Sequence, residues 1–104
     1  MIRQFDVVEN PDVESRPRVP YVVVVQSHLL YGIETVLVAP LVRPELVIAD
    51  GSISLSVQFK GETLTLDSAL LSHIKSSRLK SAAGSLAEYD YEIRRALDRL
   101  FTGF

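Results

Sequence analysis

Apolar and polar residues change rhythm along this chain, and the rhythm predicts its elements. The opening "IRQFDVV" mixes the two kinds at strand-like spacing. "ENPDVESRPRVP" follows, rich in proline and charge, and reads as a mobile loop. "YVVVVQS" is β-branched and nearly continuously apolar, the pattern of a strand covered on both faces. "HLLYG" turns the chain, and "IETVLVAPLV" predicts a strand that runs until Pro40 removes a backbone donor. In "ELVIADGSISLSVQF", Asp50-Gly51 supplies the positive φ of a tight hairpin turn. Beyond it Ile53, Leu55, Val57 and Phe59 alternate with Ser52, Ser54, Ser56 and Gln58, which sends the apolar side chains to one face. Gly61 permits another turn before Thr63-Leu64-Thr65-Leu66.

Residues 67–84 predict a helical turn and a short edge strand. From Ser85 the period lengthens. Ser85 and Glu88 have the spacing of a capping box, in which hydroxyl and carboxylate satisfy free amides of a first helical turn. Leu86, Tyr89, Ile93, Ala96, Leu97, Leu100 and Phe101 fall on one helical stripe. Asp90–Arg94 and Arg94–Asp98 sit at i,i+4 on the wet side. Short connections favour antiparallel neighbours, so the expected architecture is mainly β, an antiparallel sheet closed by a C-terminal α-helix. Residues 1–104 read as a single domain, large enough to bury roughly two thirds of its unfolded surface.

Composition narrows the function. The formal charge of −2 argues against non-specific nucleic-acid binding, which needs a basic surface to displace counterions. No cysteine is present, which removes disulfides, thiolate metal sites and a thiol nucleophile. "MIRQFDVVENP" does not resemble a signal peptide, and residues 21–42 are too interrupted for a spanning helix. The expectation is a soluble cytoplasmic protein. His28 and His73 lack acidic or histidine neighbours at metal-ligand spacing, so no metal is expected. No phosphate loop or nucleophile elbow appears. The serines at 52, 54 and 56 read as the wet face of a strand. Lys75, Arg78 and Lys80, with His73 beside them, form a small basic cluster that reads as a solvated edge.

The tail, "RALDRLFTGF", is less ordinary. Fully burying a phenylalanine stabilises a fold by ~1.5–3 kcal/mol, so Phe101 and Phe104 have reason to join the core. Gly103 can take a left-handed conformation and swing Phe104 off the helix axis. A core cap and a contact patch both remain open on these residues.

"VQSHLLYGIETVLVAPL", "GETLTL" and "EIRRALDRLFTGF", in this order and spacing, resemble the CcdB family, the gyrase-poisoning toxins of bacterial ccd toxin–antitoxin modules. "VQSHLLYGIETVLVAPL" resembles the family's Val-Gln-Ser, two bulky aliphatics, a turn and a strand ending in Pro-Leu. "GETLTL" sits where the family has a Gly-x-Glu hairpin strand, and "EIRRALDRLFTGF" resembles the terminal helix ending Phe-Trp-Gly-Ile. The likeness runs from near Met1 to Phe104. It implies an SH3-like antiparallel barrel with a C-terminal helix, shared with the MazF/PemK toxins, and a homodimer. It also implies a protein that grips the GyrA subunit of DNA gyrase and traps the gyrase–DNA cleavage complex, with no enzymatic step and no cofactor. A CcdA-like antitoxin would neutralise it, with a disordered segment that folds on binding. Plasmid maintenance in bacteria is the setting the family implies. The gyrase-binding residues carried over are Leu29, Leu30, Asp98, Phe101, Thr102, Gly103 and Phe104.

Two of these depart from the family. Thr102 stands where the family has tryptophan, and Asp98 where it has a neutral amide. An alternative is therefore a CcdB-like dimer that binds antitoxin with lost or retargeted toxicity. A MazF-type endoribonuclease on the related fold is a further alternative, one the acidic composition disfavours.

Overall fold

The computed structural model describes residues 2–27, 34–46 and 53–103. Among them seven strands form one antiparallel sheet, curled into a half-barrel and followed by a single α-helix. The strands are β1 (Asp6–Glu9), β2 (Tyr21–Val24), β3 (Thr35–Val42), β4 (Ser54–Phe59), β5 (Glu62–Asp67), β6 (Ser72–Lys75) and β7 (Gly84–Ser85). The helix α1 spans Asp90–Thr102. The order across the sheet is β4-β5-β3-β2-β1-β7, with β6 also on β3. This agrees with the mainly β, helix-closed fold expected from the sequence.

The valine run builds a strand apolar on both sides. Val23 and Val25 belong to the main core with Val7, Leu41, Leu64, Leu66, Leu86 and Ile93. Val22 and Val24 belong to a second cluster on the opposite face with Val8, Val38 and Leu79. Alternation along a pleated strand thus puts consecutive valines into two different cores. In β4 the alternation is one-sided: Val57 and Phe59 are buried while Ser56 and Gln58 are exposed. The β4–β5 hairpin turns on Lys60 and Gly61, both at positive φ (49° and 79°), the combination that matches the twist of the flanking strands. The hairpin expected at Asp50-Gly51 lies outside the described residues.

Three local expectations are corrected. β3 does not stop at Pro40 but continues through it to Val42, with Pro40 opposite Val22 of β2. The neighbouring bond from the Val25 amide to the Leu37 carbonyl (3.1 Å) sets the phase of the β2–β3 ladder. Alternation from it turns the nitrogen of Pro40 away from β2. On that side β6 ends opposite Val38 and β5 begins opposite Leu41, so the missing donor falls in the gap between two partners.

The proline-rich segment is not a loose loop. Asn10, 5% exposed, donates through Nδ2 to Ser15 Oγ (2.8 Å) and the Val19 carbonyl (2.9 Å), and accepts from the Asp12 amide (3.0 Å). Arg43 ties the far end down through the Pro17 carbonyl (3.2 Å) and Glu62 (2.8 Å). One buried amide folds the segment about itself.

The helix does not start at a Ser85 capping box. Ser85 pairs with Asp6 in β7, and its Oγ accepts from the amide of Ala87 (3.1 Å). A 3-10 turn over Ala87–Tyr89 follows, and α1 begins only at Asp90. For residues 67–84 the expected turn and edge strand are both present, as a 3-10 turn at Ser68–Leu70 and β6.

Candidate docking surface at the end of the helix

α1 lies on the main core through Ile93 and Ala96, with Leu97 packed partly buried beside them. Its acidic start, Asp90 and Glu92, suits the positive end of the helix dipole. Asp90 pairs with Arg94 one turn on. The guanidinium of Arg94 also lies over the Phe5 ring, 5.6 Å from its centroid.

The apolar stripe then outruns the core. Phe101 is 66% exposed, so it does not cap the interior of its own chain. Thr102 is exposed and donates its hydroxyl back to the Asp98 carbonyl (2.6 Å). Gly103 takes φ 81°, ψ 10°, and its amide closes the helix on the Arg99 carbonyl (2.9 Å). This is the left-handed stop expected from the sequence, and nothing lies within 4 Å of the position a Cβ would occupy there.

Between this helix end and the N-terminal segment runs a shallow groove of about 340 Å³, lined by Gln4, Phe5, Arg94, Leu97, Asp98 and Phe101. Its floor is rigid. Phe5 is buried at φ 69°, a conformation uncommon for a bulky residue. It is held there by its amide on the Val24 carbonyl (2.6 Å) and its carbonyl on the Leu86 amide (2.8 Å). Gln4 is fixed by Nε2 on the Val25 carbonyl (3.0 Å).

The charge of the groove is set by which arginine is occupied. Arg94 is committed to Asp90, and Arg95 to Tyr91 through an Nη1–Oη bond of 3.1 Å. The expected Arg94–Asp98 pair is not made among the described residues. Asp98 is therefore an exposed carboxylate with no ion pair among the described residues, near an exposed aromatic ring.

Of the residues expected to form the site, Asp98, Phe101, Thr102 and Gly103 share the last turn of α1 and its cap. Leu29, Leu30 and Phe104 lie outside the described residues, as does His28. Gln4 and Phe5 line the groove without having been singled out from the sequence, where Arg94 was read only as an ion-pair partner on the wet side. Their only signal is an aromatic residue close to a strand, which says nothing about facing a helix at the other end of the chain.

Elsewhere, a wider groove of about 600 Å³ runs between the proline-rich segment and residues 78–83. Arg78 there reaches the Pro11 carbonyl at 3.4 Å, and Val13 stands 67% exposed. The basic cluster is thus partly used to close the loop. Among the described residues no three histidine or acidic side chains gather as a metal site, and no helix is long and apolar enough to cross a membrane.

Among the described residues a half-barrel sheet is followed by one helix whose last turn leaves Phe101 exposed, which defines the class as a small, mainly β, α+β domain. The chain matches the model of the CcdB protein family over residues 4–103, and it belongs to that family. That places it among the toxins of toxin–antitoxin modules. No curated protein matches it.

Proposed function

We propose that this chain is a single-domain toxin that binds the GyrA subunit of DNA gyrase and holds the gyrase–DNA cleavage complex in place. Binding, not catalysis, does the damage, and it takes place in the cytoplasm. A homodimer would bring two helix ends, each with Asp98, Phe101, Thr102 and Gly103, to one target surface. Leu29, Leu30 and Phe104 would complete the patch. One observation carries this reading: an apolar stripe that leaves Phe101 66% exposed at a glycine-terminated helix end. An aromatic side chain left in water forgoes burial within its own fold, and such residues are typical anchors of protein interfaces. Neutralisation would come from a CcdA-like antitoxin, with the Pro11–Pro17 loop and its groove as one contact.

Inducible expression in bacteria tests the proposal. Growth should stop and gyrase-linked DNA breaks accumulate, and co-expression of the antitoxin should restore growth. Normal growth with abundant, folded protein would end it.

A second reading has its own observation. Thr102 occupies the family's tryptophan position and spends its hydroxyl on its own helix. Truncating an aromatic anchor of that kind costs ~2 kcal/mol or more, over tenfold in affinity. On this reading the chain binds antitoxin but is weakly toxic or aimed elsewhere. Thr102→Trp discriminates. It should raise toxicity sharply if the missing ring is the defect, and change little if gyrase is already gripped without it.

A further inference from the structure

We propose that the groove between the proline-rich segment and residues 78–83 is a binding site for a small organic phosphate. Arg16, Arg78 and Lys80 hold its dianionic phosphate group, and its aliphatic body lies along Pro11, Val13 and Ala83.

The backbone of one short stretch sets both arginines in place. Arg16 donates through Nε to the Asn10 carbonyl (2.6 Å), and Arg78 through Nη2 to the next carbonyl, that of Pro11 (3.4 Å). Consecutive carbonyls thus gather two guanidiniums from distant parts of the chain. The anchor itself is fixed, because the buried Asn10 side chain bonds Ser15, Val19 and Asp12. A guanidinium carries five N–H groups, and these bonds leave most of them on each arginine for a ligand.

Lys80 brings a third cation to the groove, exposed and with no hydrogen bond or ion pair among the described residues. Glu9, bonded to Arg16 Nη2 (3.1 Å), is the one carboxylate among the lining residues. Asp12 lines a smaller groove that Arg78 also borders, and its carboxylate accepts from the Glu14 amide (3.3 Å). Three cations against one carboxylate leave the groove at +2, in a chain whose net charge is −2. Like charges drawn together in this way call for a counter-ion.

The charge selects the occupant. A phosphate monoester carries close to two negative charges at neutral pH and offers several acceptor oxygens to the guanidinium forks. A carboxylate or a phosphodiester brings one charge and leaves a cation unanswered. The groove holds about 600 Å³, the size of a small-molecule site. Its described apolar walls are aliphatic and include no aromatic ring, so a nucleic-acid strand finds no platform for its bases. Val13, 67% exposed, is the apolar surface that the body of the ligand covers. Among the described residues a single hydrogen bond, Arg78 to Pro11, links the proline-rich segment to residues 78–83. A phosphate shared by Arg16, Arg78 and Lys80 clamps the two together, so the rigidity of the loop follows ligand concentration. The groove shares no lining residue with the one at the end of α1, so this site stands independently of gyrase binding.

The test titrates the full chain, isotope-labelled for NMR, with butyl phosphate in a buffer free of other phosphate. The amides of Lys80, Ser81 and Ala82 and the Nε proton of Arg16 should shift together and saturate. Butyrate, with a similar tail and one charge, and diethyl phosphate, a singly charged diester, should bind at least about tenfold more weakly. Inorganic phosphate should bind about threefold or more weakly, because it leaves Val13 in water. Arg78→Gln/Lys80→Gln should lower affinity at least about tenfold while the amides around Ile93 keep their positions. Lys80→Gln alone, which spares the Pro11 contact, should lower it about threefold or more. The proposal is overturned if millimolar butyl phosphate moves none of these groups or if the double variant binds undiminished. It is also overturned if butyrate, diethyl phosphate or inorganic phosphate binds as tightly. Equal shifts at Lys60, Lys75 and Arg99 would reveal an ion atmosphere over every exposed cation, and would overturn it too.

Discussion

The middle and the end of α1 carry the same apolar stripe into different surroundings. Ile93 is fully buried against the sheet and Ala96 nearly so, while Phe101, further along the same periodicity, stands in solvent. Among the described residues the packing under the helix encloses Ile93 and does not enclose Phe101. A helical period tells which side of a helix is apolar; only the extent of the opposing surface decides how many of those positions become core. The contrast separates two uses of hydrophobic area in one element. At Ile93 it holds the domain together, and at Phe101 it is left exposed among the described residues.

The sharpest way to break this comparison is at its buried end. Ile93→Ala removes a fully enclosed side chain and should cost about 2–5 kcal/mol, depending on how far the sheet and helix relax into the space. Urea unfolding should show a lower midpoint with an unchanged slope. A loss below about 0.5 kcal/mol would mean that α1 is not anchored through this residue.

Gly103 comes next, with a smaller and more local effect. At φ 81° any other L-residue is strained, although open space surrounds the position. Gly103→Ala should cost about 1 kcal/mol, drawn from the helix terminus. Amides of the last turn should exchange faster while those near Ile93 are unchanged. Uniform loss of protection along α1 would show that the cap supports the whole helix rather than aiming its end.

Much of the β architecture was readable locally because its determinants are local. The valine run specifies a strand apolar on both faces, and serines alternating with large apolar residues specify the one-sided β4. Gly61 marks its turn for the same reason. The misreadings share an origin in partners far away in the chain. Pro40 is tolerated inside β3 because β5 and β6 leave a gap opposite it, which no window around Pro40 reveals. Ser85 has the chemistry of a helix cap but is claimed by Asp6. At the candidate surface the helical stripe and the left-handed glycine that ends it were legible. The floor was not: Phe5 reaches it through an uncommon backbone conformation fixed by Val24 and Leu86.

Asp90 tests whether the Arg94 pairing is what keeps Arg94 from Asp98 across the groove. Both side chains are about half exposed, so the pair adds little to stability. Asp90→Asn should cost about 0.3–0.5 kcal/mol at low salt, and less at high salt where the interaction is screened. Its more useful consequence is that Arg94 becomes free to turn toward Asp98. If the helix end is a docking site that needs an open carboxylate, this variant should bind its target more weakly despite near-normal stability. Unchanged binding would show that Asp98 is incidental.

Phe101 should give the smallest effect on folding and the most informative one. At 66% exposure it has little burial to lose, so Phe101→Ser should change unfolding stability by less than about 0.5 kcal/mol. Toxicity, if it resides in this helix end, should fall more than about tenfold, because an aromatic anchor contributes ~2 kcal/mol or more once an interface encloses it. The pairing of those two results separates the ends of α1: Ile93→Ala damages function only by damaging the fold, and Phe101→Ser damages function alone. A large stability loss at Phe101 would mean that the ring is covered in the functional assembly of this chain. Sedimentation would then show whether the variant has become monomeric, in which case Phe101 is dimer core rather than target anchor.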